Sequence, residues 1–130
     1  DAYISARAIQ FFTPGIPQVY YVGLLAGKND EAKIKETGEG REINRHNFSV
    51  EEIEKEVGKE VVQRLIKLIE FRNDYPAFNG KFKVIDTNNN ELILSWEKDN
   101  KECTLYCDLL TNKSIIKYID DNENLSIFNI

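Results

Sequence analysis

The chain changes its hydrophobic period once, near residue 80. Before that point apolar residues recur three or four apart, and after it they alternate. Ala2 to Phe12 carries Ile4, Ala8, Phe11 and Phe12 on one side, the stripe of an amphipathic helix, and Thr13-Pro14-Gly15 ends it. Ile16 to Val22 is short, apolar, β-branched and aromatic without clean alternation, which predicts a strand buried on both faces. A long connection from Gly23 to about Gly58 follows. It holds a predicted short helix near Asp30–Glu36, closed by Gly38, and an ordered loop from Gly38 to His46. Ser49-Val50-Glu51-Glu52 has the spacing of a capping box, so a further short helix should start there. Val61, Val62, Leu65, Ile66, Leu68 and Ile69 stripe the clearest helix, Glu60 to about Asn73, and Tyr75-Pro76 stops it.

Beyond Gly80 the period is two. Leu92, Leu94 and Trp96 alternate with Ile93, Ser95 and Glu97, between the turn clusters Asn88-Asn89-Asn90 and Lys98-Asp99-Asn100. Further strands are predicted near Phe82–Ile85, Glu102–Leu109, Ser114–Tyr118 and Leu125–Ile130. Short strands joined by hairpin turns predict an antiparallel sheet or half-sandwich, so the expected division is residues 1–77 and residues 78–130.

Composition narrows the class. With 42% hydrophobic and 30% charged residues the 130-residue chain reads as a soluble globular protein, and no apolar run approaches a membrane span. A net charge of −5 speaks against a nucleic-acid surface, which needs clustered Lys and Arg. There is no Met, so the expectation is that Asp1 is an internal residue of a longer protein or the start of a processed chain, and the direct opening in a helical pattern favours a cut through a protein. Cys103 and Cys107 fall on one face of a predicted strand. Their Cα atoms should lie roughly 13 Å apart, beyond the roughly 7 Å that a disulfide spans. Two buried, reduced thiols in a cytoplasmic protein are expected, and no metal site, since the single His is far away in sequence.

Three segments carry a resemblance. Pro14-Gly15-Ile16-Pro17-Gln18-Val19-Tyr20-Tyr21-Val22-Gly23 is similar to the last barrel strand of glycoside hydrolase family 13, the α-amylase superfamily, with Leu24 where hydrolases often carry Glu. Phe71-Arg72-Asn73-Asp74-Tyr75-Pro76-Ala77-Phe78-Asn79-Gly80 resembles that family's passage from barrel helix to β-domain. Leu25-Ala26-Gly27-Lys28-Asn29-Asp30 followed by Gly40-Arg41-Glu42-Ile43-Asn44-Arg45-His46 resembles the sucrose phosphorylase subfamily in particular. The resemblance implies an α/β plus all-β architecture: the last helix-strand-helix portion of a (β/α)8 TIM barrel over residues 1–77, then a C-terminal antiparallel β-domain.

It also implies retaining glucosyl transfer from sucrose to phosphate, yielding α-glucose 1-phosphate and fructose, with inorganic phosphate as co-substrate and no cofactor. That chemistry needs a carboxylate nucleophile and a carboxylic acid about 5 Å apart. In the family these lie upstream of the region matched here, so no catalytic residue is expected in this chain and the piece alone should be inactive. The family's Arg at position 41 binds glucose hydroxyls, a task suited to the five fixed donors of a guanidinium. Arg41 and Asn44 are therefore the expected substrate-binding residues, with Asn44 and Arg45 bracing the loop and His46 as a structural hydrogen-bonding residue. Taken without the resemblance, Arg41 between two Glu reads as a solvated surface residue. Glu51, Glu52, Glu54 and Glu56 read as a solvated helix face, Trp96 as β-domain core, and Tyr20 and Tyr21 as core or barrel-mouth packing. The expected partners are the remaining N-terminal part of the protein and a sugar, with neither nucleic acid nor membrane. Exposed barrel faces would favour self-association as a homo-oligomer. Sucrose 6-phosphate or glucosylglycerate as donor, and a non-catalytic sugar-binding or structural module, are the alternatives.

Overall fold

The alternating half of the sequence folds as its period requires. In the computed structural model, which describes residues 1–130, five strands form one antiparallel meander: β1 (Lys81–Ile85), β2 (Glu91–Lys98), β3 (Lys101–Asp108), β4 (Lys113–Ile119) and β5 (Leu125–Asn129). The register places Leu94 opposite Leu105 and Trp96 opposite Cys103, and Leu105 in turn opposite Ile116. Period two therefore gathers Leu94, Trp96, Cys103, Leu105, Cys107 and Ile116 on one face, and all six are buried.

That face is covered by helices and not by a second sheet. Helix α1 (Ala2–Phe12) packs across β2, β3 and β4 with Ile4, Ala8, Phe11 and Phe12 buried. Two side chains receive its last carbonyls, which have no partner within a helix. Trp96 Nε1 donates to the Phe12 carbonyl at 2.7 Å, and Arg72 Nε donates to the Phe11 carbonyl at 2.7 Å. The Arg72 guanidinium also lies 4.3 Å from the centre of the Phe78 ring, and burial lowers its pKa. Ser5 Oγ donates to the Asn112 carbonyl at 2.8 Å and pins the start of α1 to the β3–β4 turn.

A second aromatic cluster fixes the end of helix α5 (Glu60–Asp74). Phe71 stacks on Tyr75 at 5.1 Å and meets Tyr118 and Phe128 at 5.3 and 5.0 Å. The Tyr75 hydroxyl sits among the Glu102 and Ile119 carbonyls (2.9 and 2.8 Å) and the Ile119 amide (3.2 Å), and burial pushes its pKa up to about 12. Gly80 joins this cluster to the sheet at a position where a Cβ would stand 1.9 Å from the Glu97 carbonyl oxygen.

Cys103 and Cys107 are free and buried, as the spacing predicts. Burial pushes the Cys103 thiol up to about 12 and raises that of Cys107.

Three expectations need correction. Residues 16–22 form no strand. Gly15 turns the chain with φ 116, Ile16 is 92% exposed, and from Tyr21 the backbone coils into the single-turn helix α2 (Tyr21–Leu24). A strand exists only through a paired neighbouring strand, and no strand of the sheet pairs with these residues; the Tyr20, Tyr21 and Val22 carbonyls accept instead from the amides of Leu24, Leu25 and Gly27. Consequently no part of a parallel (β/α)8 barrel is built here; the sheet is purely antiparallel. Tyr20 and Tyr21 are not core: they are 52% and 39% exposed, and their rings pack on each other at 4.4 Å.

The compact division also falls elsewhere than between residues 77 and 78. One unit comprises Asp1–Pro17 with Lys67–Ile130, and the other Gln18–Ile66. The reason is α1, which buries its apolar stripe on the sheet despite its distance in sequence. No helix is long and apolar enough to cross a membrane.

Candidate functional site

The residues 18–66 unit is built by local capping. Helix α3 (Glu31–Thr37) starts on Asp30, whose Oδ1 accepts from the Lys33 amide at 3.0 Å. It stops at Gly38, which takes the left-handed conformation with φ 72, a natural place for a residue without Cβ. Helix α4 (Val50–Val57) starts on the capping box expected at Ser49. Glu52 N donates to Ser49 Oγ at 3.2 Å, and Ser49 N donates to Glu52 Oε2 at 2.7 Å. The backbone amide of Ser49, then the His46 ring, hold the Glu52 carboxyl below its ordinary value.

Between these helices the Gly40–Asn44 segment forms a 3₁₀ turn packed against α3. The Asp30 amide donates to the Ile43 carbonyl at 2.6 Å, which ties the turn to the start of α3. Lys33 holds it from another side: its Nζ donates to the Arg45 carbonyl at 2.9 Å and lies 3.6 Å from Glu42. Arg45 returns to Glu42 at 3.3 Å.

Arg41 projects from this turn with its side chain 67% exposed. Its Nε donates to Glu39 Oε2 at 2.6 Å and lies 3.9 Å from Glu42 Oε1. The group is thus a presented cation, oriented by a neighbouring carboxylate. Asn44 ends the same turn and is exposed. Arg41 and Asn44 therefore share one short, braced, solvent-facing element, and Arg45 braces it as expected.

His46 follows immediately. Its Nε2 is 3.2 Å from Glu52 Oε1 and its Nδ1 is 3.7 Å from Asp30 Oδ2. The Tyr21 hydroxyl donates to the His46 carbonyl at 2.9 Å, and the Phe48 ring meets the imidazole edge-on at 4.7 Å. Gly27 permits this closeness: a Cβ there would stand 2.8 Å from Val22 Cγ1 and 3.2 Å from the Phe48 ring. Glu51 and Glu54 are exposed on α4, and Glu56 pairs with Lys59, so the acidic helix face forms no paired-carboxylate site.

Sequence spacing located the capping box, and the resemblance singled out Arg41 and Asn44, which the structure places on one exposed turn. Neither revealed that Asp30, Tyr21 and Lys33 support the same turn. Only the Asp30–Lys33 spacing, a helix start signal, pointed that way.

No family model matches the chain. It is 63% identical over 122 residues to the sucrose 6(F)-phosphate phosphorylase of Thermoanaerobacterium thermosaccharolyticum, covering 94% of this chain and 25% of the relative. It is 52% identical over 120 residues to the glucosylglycerol phosphorylase of Marinobacter adhaerens (92% and 25%), and 48% identical over 116 residues to the sucrose phosphorylase of Agrobacterium vitis (89% and 24%). The crystal structure of sucrose 6F-phosphate phosphorylase from Thermoanaerobacter thermosaccharolyticum matches with a TM-score of 0.96 at 58% identity, over 98% of this chain and 26% of that one. The chain spans about a quarter of the length of the curated relatives it matches.

Proposed function

We propose that this chain, which belongs to the sucrose phosphorylase family, is the C-terminal part of an enzyme that transfers a glucosyl group from sucrose to inorganic phosphate. In this reading α-glucose 1-phosphate and fructose are the products. The attacking and proton-donating carboxylates lie in chain outside these residues, and the 130 residues alone are inactive. Phosphate enters as co-substrate, and neither a metal nor an organic cofactor takes part. The enzyme works in the cytoplasm, a reducing compartment that suits two buried free thiols, and its barrel-facing surfaces are covered by the rest of the protein or by a second copy.

The observation that carries the reading is Arg41: a guanidinium held at a defined angle by Glu39 on a braced turn, with most of its surface open. Its remaining N–H donors can meet two adjacent sugar hydroxyls in the plane of the fork. Asn44 offers an amide donor and acceptor beside it. A phosphorylated donor is the second reading, supported by the 63% identity to a sucrose 6(F)-phosphate phosphorylase.

The test is phosphorolysis by the longest coding sequence that contains these residues, compared with the 130-residue chain, on sucrose and sucrose 6-phosphate. Only the long form should release glucose 1-phosphate. Arg41→Ala should lower its kcat/KM on the order of a hundredfold, the effect of losing charge-assisted hydrogen bonds to substrate. Turnover by the short chain would refute the placement of the carboxylates, and an Arg41→Ala enzyme of normal efficiency would refute the role of Arg41.

A further inference from the structure

His46 touches two carboxylates that each already cap a helix. Asp30 gives Oδ1 to the α3 amide of Lys33 and turns Oδ2 toward His46 Nδ1 at 3.7 Å. Glu52 gives Oε2 to the Ser49 amide and Oε1 to His46 Nε2 at 3.2 Å. One imidazole thus stands between the starts of α3 and α4, and the 3₁₀ turn bearing Arg41 is the chain that connects them. An imidazolium has a donor on both nitrogens and can serve both carboxylates; neutral imidazole has one donor and must present a lone pair to the other. The nearby cations do not substitute for it. Lys33 is engaged by the Arg45 carbonyl and Glu42, and Arg45 by Glu42. The remaining neighbours are Tyr21, whose hydroxyl is spent on the His46 carbonyl, and the uncharged Phe48 ring.

We propose that His46 is a positioning residue: its protonated ring clamps Asp30 to Glu52 and so holds the Gly40–Asn44 turn in the conformation that presents Arg41. Losing the proton releases one of the two carboxylates and loosens the turn. The bearing of this clamp on catalysis rests on the function proposed above; the clamp itself does not.

The experiment therefore has two arms. In the 130-residue chain, NMR follows the His46 ring through its titration while hydrogen exchange is read at the Asp30 amide, which is bonded to Ile43. Exchange should quicken about two- to fivefold beyond the intrinsic pH effect as His46 deprotonates, the scale of a part-exposed ion pair. His46→Gln should show the faster exchange at every pH, and His46→Lys, a cation throughout, should keep exchange slow at pH values where the unsubstituted ring is observed to have lost its proton. Exchange that ignores both the titration and the substitutions overturns the clamp. In the long form, His46→Gln should raise KM for the glucosyl donor severalfold with kcat nearly unchanged, as for a lost ground-state binding geometry. An unchanged KM overturns the positioning of Arg41. Absence of phosphorolysis in the unsubstituted long form, with the exchange response intact, overturns the proposed function and leaves the clamp standing.

Discussion

The end of α1 offers the sharpest test of how the sheet unit is held together. The Phe12 carbonyl belongs to the last turn of the helix, and the chain leaves in extended conformation at Thr13 (φ −69, ψ 149), so no helical amide reaches it. Phe12 is fully buried and Trp96 is only 7% exposed, so water cannot replace the indole N–H that donates at 2.7 Å. Trp96→Phe keeps an aromatic ring against Phe78 and Phe82, which meet the indole at 5.9 and 5.2 Å, but removes the donor. A buried carbonyl left without a partner costs about 1–3 kcal/mol. The smaller ring forfeits roughly 40 Å² of apolar burial, about 1 kcal/mol. Together these losses, about 2–4 kcal/mol, lower the Tm by about 8–16 °C for a chain of this size. Calorimetry supplies the total, and near-ultraviolet circular dichroism assigns the transition to the aromatic-rich sheet unit. Phe82→Leu is the control, because it trims contact with the same indole without touching the carbonyl. If Trp96→Phe shifted the Tm no further than Phe82→Leu does, ring packing alone would account for the loss, and the indole–carbonyl hydrogen bond would not be what secures the end of α1.

Two further outcomes follow from single positions. Gly80→Ala places a Cβ 1.9 Å from the Glu97 carbonyl oxygen and 2.7 Å from its carbon, backbone that cannot retreat without opening the β1–β2 pairing; a loss on the order of 3 kcal/mol is expected in denaturant unfolding, and a neutral substitution would contradict the packing. Glu52 is held below its ordinary pKa chiefly by the Ser49 amide, so its contribution to α4 is present above the unfolded carboxyl value and fades as pH falls through the lower folded one. Amide protection at the start of α4 should therefore drop on acidification below about pH 5, and Glu52→Gln, which can still accept from Ser49, should flatten that response.

What the sequence disclosed divides by range. Capping is local: Ser49 and Glu52 lie three residues apart, Asp30 and Lys33 likewise, and the structure forms both caps where the residue types require them. The strands were equally legible, because alternation over five to eight residues is decided by which face is buried. Residues 16–22 misled because strand identity is not local. The apolar, β-branched content of Ile16–Val22 describes an environment that this chain supplies only to Val22, which is buried: Ile16 stays 92% exposed and the segment adopts a turn and a single helical coil. The covering of the sheet by α1 was invisible for the same reason, since contacts such as Ser5 with Asn112 and Trp96 with Phe12 join residues that no periodicity relates.

The same distinction bears on Arg41. Between Glu39 and Glu42 its charge is already answered, and an isolated surface pair of this kind contributes little to stability. The turn is nevertheless fastened at four points: Asp30 to Ile43, Lys33 to the Arg45 carbonyl, Arg45 to Glu42, and His46 between two helix caps. Ordering a five-residue turn costs on the order of 1–2 kcal/mol of backbone entropy per residue. A segment whose side chains bury no core residue has no packing reason to be held so firmly. The function proposed above would supply a reason, presentation of the exposed Arg41 and Asn44 to substrate, and this bracing supports that proposal on grounds other than sequence similarity.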